Sequence, residues 1–114
     1  MQFTLSLGLC PHSWYVPMAQ AAERAGWDSI AVPDELFYYE KTSTAYPYSA
    51  DGKRFWGAET EFLEPFVVIA TMAAVTSRIR FYPSVLKLAV REPLLVAKEL
   101  SSCAVLAGER VGLG

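Results

Sequence analysis

The sequence is poor in the groups that build metal sites and disulfide scaffolds. Its 114 residues include one His and two Cys. Cys10 and Cys103 stand far apart among apolar neighbours, so two reduced thiols in a cytoplasmic protein are expected, and no metal centre. Charge of one sign is also missing. Ten Lys and Arg face twelve Asp and Glu, a net charge of -2. That balance has no electrostatic footprint for nucleic acid or an anionic membrane. Long apolar runs are absent too. Stretches such as Phe66–Ala70 fall far short of the roughly 20 residues a membrane helix needs. No Lys or Arg precedes Arg24, so Phe3–Cys10 lacks the basic flank of a secretory signal. There is no repeat and no low-complexity tract.

What remains is a globular mixture, 53% apolar and 19% charged, in which short β-like runs alternate with helical patterns. Phe3–Cys10 alternates large Phe3, Leu5, Leu7 and Leu9 with small Thr4, Ser6, Gly8 and Cys10, a strand with one bulky and one slender face. A helix is expected over Trp14–Ala25, with Met18, Ala21, Ala22 and Ala25 as its packing stripe and Gly26 closing it. Asp28–Val32 reads as a second strand, ended by Pro33. Leu36–Phe62 reads mostly as loop, and a loop this long in a compact domain is usually functional or disordered. A helix over Glu64–Thr76, a strand over Ile79–Leu88 irregular from Pro83, and a helix from Pro93 to Ala107 follow. The last has Leu100, Cys103, Ala104 and Ala107 as its apolar side. Val111–Gly114 begins a fourth strand.

Strands separated by single helices imply a parallel sheet with right-handed crossovers. An open doubly wound sheet and a sector of a (β/α)8 barrel both fit. The turn after the first strand, Cys10-Pro11-His12-Ser13, lacks the glycines of a phosphate-cradling loop, which disfavours the doubly wound form. Gly8, Ala31, Ser84 and Gly112 would all point inward in a barrel. A complete barrel takes about 250 residues, so this single domain, 1–114, is expected to be a partial barrel cut short at its C-terminus.

Several segments resemble one family. They are Gly26-Trp27-Asp28-Ser29-Ile30-Ala31-Val32, and Glu64-Pro65 opening a helix that runs to Ser77-Arg78-Ile79-Arg80. Ser84-Val85-Leu86, Arg91-Glu92-Pro93-Leu94 and Leu106-Ala107-Gly108-Glu109-Arg110 complete the set. In this order and spacing the chain is similar to the N-terminal part of the luciferase-like monooxygenase superfamily, the bacterial-luciferase-type barrels. The resemblance implies four strands and three helices of a TIM barrel. It also implies a cytoplasmic oxidoreductase using reduced flavin mononucleotide (FMN) or the deazaflavin coenzyme F-420, with a lean to the latter. The substrate would be a small, partly apolar molecule, and a homo-oligomer is expected. The Gly-rich stretch after the fourth strand and most of the cofactor's phosphate site lie later in such enzymes, so this part is expected to be inactive alone.

The resemblance and position together nominate residues. Asp34 and Glu35 follow the second strand at the carboxyl-end face, where barrel active sites lie. Deazaflavin-using relatives often have Asp-His here; this sequence keeps the Asp and has Glu35 in place of the His. A carboxylate there would hydrogen-bond the ring edge or relay a proton. The other reading is a turn cap at Asp34 and a solvated Glu35. Ser84 and Val85 match a peptide that in the family is often cis and backs the cofactor ring; the other reading is an ordinary Pro-disturbed strand. His12 lies after the first strand on the same face, near substrate or a flavin carbonyl, or simply solvated. Phe37, Tyr38, Tyr39, Tyr46, Tyr48, Phe55 and Trp56 crowd the long loop without helical period. They suit either a cover over the site or a dimer contact. Lys87 and Arg91 are read as contacts for an anionic group or as surface residues. The non-catalytic alternative is a self-associating half-barrel, since an open sector leaves strand edges unprotected.

Overall fold

The slender and bulky faces of the β-like runs become the two faces of one small sheet. In the computed structural model, which describes residues 1–114, β1 (Thr4–Ser6), β2 (Ser29–Val32) and β3 (Arg80–Pro83) are parallel in that order. The register sets Leu5 beside Ile30 and Ile30 beside Phe81, with Val32 beside Pro83. These bulky residues share one face with Leu7. Thr4, Ser6, Ser29 and Ala31 share the other, because side chains alternate along a strand; that face is slender only in β1 and β2, since in β3 it carries Arg80 beside Ser29 and Tyr82 beside Ala31.

Three helices connect the strands. They are α1 (Tyr15–Arg24), entered through a tight turn at His12–Trp14, then α2 (Pro65–Ala73) and α3 (Pro93–Leu106). All three join the bulky sheet face in one core, where Tyr15 and Ala19, Ile69 and Met72, and Val96 and Cys103 meet Ile30, Val32 and Phe81. A doubly wound sheet would carry a core on each face. One core on one face is the arrangement of a barrel sector.

Local signals set the helix ends. Glu64 precedes Pro65 and accepts the Val67 amide at 2.9 Å; Glu92 precedes Pro93 and accepts that of Leu95 at 2.7 Å. Both are N-caps with Pro in the first turn. Gly26 and Gly108 follow α1 and α3 with φ of 82° and 61°, a conformation that suits glycine at a helix end. Arg110 ties the other ends together. Its guanidinium donates to the carbonyls of Ala107 at 2.6 Å, Ala73 at 2.9 Å and Ile79 at 3.1 Å. Glu23 near the end of α1 accepts the amides of Ser77 and Ile79, at 2.9 and 3.0 Å, and that of Arg78.

Four expectations change. The first strand is shorter than Phe3–Cys10, because the chain turns at Leu7, whose carbonyl accepts the Cys10 amide at 3.1 Å, with Leu9 at φ 60°. The α1 stripe is Tyr15, Met18, Ala19 and Ala22; Ala21 and Ala25 face solvent. In α3 Val96 leads the buried side with Leu100, Cys103 and Ala107. The fourth strand is a single parallel bridge of Val111 to Phe81, flanked by Phe81 N to Arg110 O at 2.8 Å and Gly112 N to Phe81 O at 2.9 Å. The sector therefore has three strands. From Pro33 to Glu64 there is neither helix nor strand, as the composition of that stretch implied. No helix is long and apolar enough to cross a membrane.

Candidate functional site

The segment after β2 and the carboxyl ends of the strands together line an open cavity of about 890 Å³. Its floor comes from all three strand ends: Gly8 after β1, Pro33, Asp34 and Glu35 after β2, and Ser84, Val85 and Lys87 after β3. Its roof is the long loop, with Tyr38, Tyr39, Tyr46, Tyr48, Phe55 and Trp56. The roof aromatics hold one another edge to face. Tyr46 meets Trp56 at 5.2 Å and Phe55 at 5.8 Å between ring centres, and Tyr39 is met at 4.7 Å by Phe37 from outside the cavity. Edge-to-face pairing at these separations is the favourable geometry for such rings.

Asp34 is held more tightly than its position in the sequence implied. Its side chain is 1% exposed, and that of Arg91 is 9% exposed. Arg91 Nη2 donates to Asp34 Oδ1 at 2.7 Å and Nε to Oδ2 at 3.3 Å. The Lys87 amide donates to the same Oδ2 at 2.8 Å. Arg91 also reaches Glu64 Oε1 at 3.3 Å, so one network links the end of β2, the turn after β3 and the cap of α2. Burial alone would pull the Arg91 pKa down; the hydrogen bonds and charge of Asp34, with Glu64 and Glu99, outweigh it and push the pKa up. Arg91 is therefore a buried partner of Asp34, and the surface reading of it is set aside. Through the Lys87 amide Asp34 is tied to the turn after β3.

Ser84 and Val85 are joined by a cis peptide, and the Ser84 amide donates to the Val32 carbonyl at 2.7 Å. Glu35 is paired with Lys87 at the cavity edge. Of the residues nominated from sequence, Asp34, Glu35, Ser84 and Val85 meet in the cavity wall. His12 does not line it. It is exposed and paired with Glu61, tying the turn before α1 to the end of the long loop.

Lys53 and Arg54 also line the cavity, and neither was singled out in the sequence. The Arg54 guanidinium lies 3.9 Å from the centre of the Tyr38 ring, and it donates to the Tyr39 carbonyl. Their only sequence signal was a basic pair inside an aromatic-rich loop.

A helix-backed parallel sector with a cavity at its strand ends calls for comparison with known barrels. The family model described as luciferase-like monooxygenase matches residues 15–114. The chain belongs to this family. It is 44% identical over 114 residues to the uncharacterized protein Rv0940c of Mycobacterium tuberculosis, covering 100% of this chain and 40% of that protein. A second uncharacterized protein of that organism, Rv0953c, is 29% identical over 112 residues, covering 98% of this chain and 38% of its own length. The chain thus spans about two fifths of these relatives.

Among solved structures it resembles the oxygenating constituent of 3,6-diketocamphane monooxygenase from Pseudomonas putida, determined with FMN. The TM-score is 0.72 at 18% identity, over 100% of this chain and 29% of that one. It also resembles the coenzyme F-420-dependent tetrahydromethanopterin reductase of Methanopyrus kandleri. There the TM-score is 0.70 at 18% identity, over 99% of this chain and 26% of that one. These likenesses establish the fold: the luciferase-like family's chain here is an α/β sector of a TIM barrel.

Proposed function

We propose that this chain contributes part of the active site of a cytoplasmic oxidoreductase of the luciferase-like monooxygenase type. Its cofactor is coenzyme F-420 or, as the alternative, FMN, and its substrate is a small, partly apolar organic molecule. The observation that carries the reading is the cavity at the strand ends, floored by all three strand ends, with Gly8 and Ser84 among them, and lined by loop aromatics. About 890 Å³ lies in the range of small-molecule and cofactor sites.

The floor suits a flat ring. Gly8 has no side chain, and a Cβ built there would meet only Ser6 Oγ, at 3.5 Å. Ser84, across β2 at the end of β3, is also small, so a tricyclic ring would have room over both. Gly8, Ser84 and Val85 would back the ring, and Glu35 would face its edge. When bound, such a ring supplies the hydride or oxygen chemistry. The protein's part is to hold the ring, exclude water through the aromatic roof and keep the Ser84–Val85 turn in place through Asp34. With Arg91 and the Lys87 amide on its oxygens, Asp34 serves as a positioning residue. Glu35, at the cavity edge, is the carboxylate proposed to handle a proton. His12, clasped to Glu61, is proposed to fasten the roof at its far end rather than to touch the ring.

The likeness to an FMN complex and to a coenzyme F-420-dependent reductase supports either cofactor. The test is an equilibrium titration of the protein with oxidised and reduced forms of each, read by the absorbance and fluorescence of the ring. Saturable binding of one supports the reading; binding of neither rejects it. Turnover is proposed to need the parts of the barrel that the relatives have and this chain does not span.

A second reading rests on a different observation. The outer side of α3 exposes Leu94, Leu95, Val105 and Leu106, each more than 60% accessible. Such a patch favours self-association, which is the alternative proposed: a non-catalytic, self-associating half-barrel module.

A further inference from the structure

The cavity carries a charge asymmetry that its redox reading does not use. Five charged residues line it: Asp34, Glu35, Lys53, Arg54 and Lys87. Asp34 is satisfied by Arg91, and Glu35 by Lys87. Lys53 and Arg54 have no carboxylate partner within 4.0 Å. Two uncompensated cations thus stand side by side in the cavity roof of a chain whose net charge is -2.

Arg54 is also pre-set for a ligand. The Tyr38 ring supports its guanidinium from one face, and the Tyr39 carbonyl takes one N–H from Nη2. A guanidinium has five donors in a planar fork, so four remain for an acceptor. A planar cation held this way loses little freedom on binding a carboxylate, and the fork matches both carboxylate oxygens. Tyr48 and Phe55 also line the cavity and are largely exposed, so each has apolar surface that a flat body could cover.

From this juxtaposition we infer that the substrate is an aromatic acid, a planar ring system bearing a carboxylate. Its ring lies among Tyr38, Tyr48 and Phe55, and its carboxylate meets Arg54 and Lys53. The inference rests on the cavity being the substrate site of the proposed oxidoreductase. A cofactor phosphate shares the anion chemistry, and the test separates the two.

The probes are 2-naphthoate and 2-naphthalenemethanol, which share a ring and differ in charge, titrated calorimetrically into the protein at low salt. Naphthoate should bind about tenfold tighter or better. Replacing Lys53→Gln and Arg54→Gln together should reduce that preference below about twofold and leave the affinity for the alcohol and the cofactor unchanged. Circular dichroism checks that the variant folds; the ratio in the unaltered protein stands as a test without it. Equal affinities in the unaltered protein, no measurable naphthoate binding, or a preference unchanged in the double variant would overturn the inference. So would a loss of cofactor affinity in that variant, which would assign the cations to the cofactor's phosphate. Failure of the cofactor to bind at all is a separate result and speaks to the oxidoreductase reading.

Discussion

Asp34 shows how burial decides the role of a side chain. An acidic residue just past a barrel strand is positioned for proton chemistry, but one whose oxygens are filled by a guanidinium and an amide is better suited to hold structure. Removing its charge leaves Arg91 buried against an uncharged amide. Asp34→Asn is expected to lower stability by about 3 kcal/mol, the scale for breaking a buried pair from one side. Urea unfolding of Asp34→Asn, of Arg91→Met and of the double variant checks this. The double variant should be less destabilised than the sum of the two, because the pair is then removed as a unit.

Glu23 gives a second prediction at the same scale. Desolvation pushes its pKa upward, but the amides of Arg78, Ile79 and Ser77 and the Arg78 charge overcome that and hold it at about 2. A carboxylate with a depressed folded pKa stabilises fully above its unfolded value, about 4.3. That stability is lost as the pH falls towards 2. Because Glu23 is largely solvated, the contribution is screened and on the order of 1 kcal/mol. Melting curves of the protein and of Glu23→Gln should differ at pH 6 and converge near pH 2. A constant difference across that range would contradict the assignment.

At the scale of elements, what was legible in the sequence was what neighbouring residues decide. The alternation in Phe3–Cys10 and Asp28–Val32 named the two sheet faces. The Glu-Pro pairs at 64–65 and 92–93 marked helix starts, and the glycines at 26 and 108 marked helix ends. The aromatic crowding of 36–62, with no helical period, marked a loop, and that loop lines the cavity. What was not legible depends on partners far along the chain. Arg91 and Asp34 are 57 residues apart, and nothing beside Arg91 distinguishes it from a surface Arg. The α1 stripe moved to Tyr15 and Ala19 because α2 covers that side, which periodicity among many alanines cannot choose. Arg110 is another such case: its carbonyl acceptors come from the end of α3, the end of α2 and the turn before β3. Arg110→Met should therefore destabilise by about 2 kcal/mol, since several C-terminal carbonyls lose a charged donor. Hydrogen exchange should show faster opening at the ends of α2 and α3 together. Loss of protection at only one of them would contradict a shared tie.

At the scale of the molecule, the sheet and helices leave two kinds of surface. One is the cavity at the strand ends; the other is the apolar outer side of α3. Replacing Leu94→Lys and Val105→Lys should shift the protein towards smaller species in sedimentation velocity without altering its unfolding free energy by more than about 0.5 kcal/mol, as expected for exposed positions. An unchanged distribution would remove α3 as an association surface.

In the proposed site a flat redox ring lies on the floor formed by Gly8, Ser84 and Val85, under the loop aromatics. The most direct measurement is a fluorescence titration of coenzyme F-420 and of FMN with the protein and with Ser84→Phe, whose ring would fill the floor. Binding of one cofactor to the unaltered protein, weakened at least about 100-fold in a folded Ser84→Phe, is the predicted result. Equal binding to both proteins would place the ring elsewhere and rule out this floor as its seat.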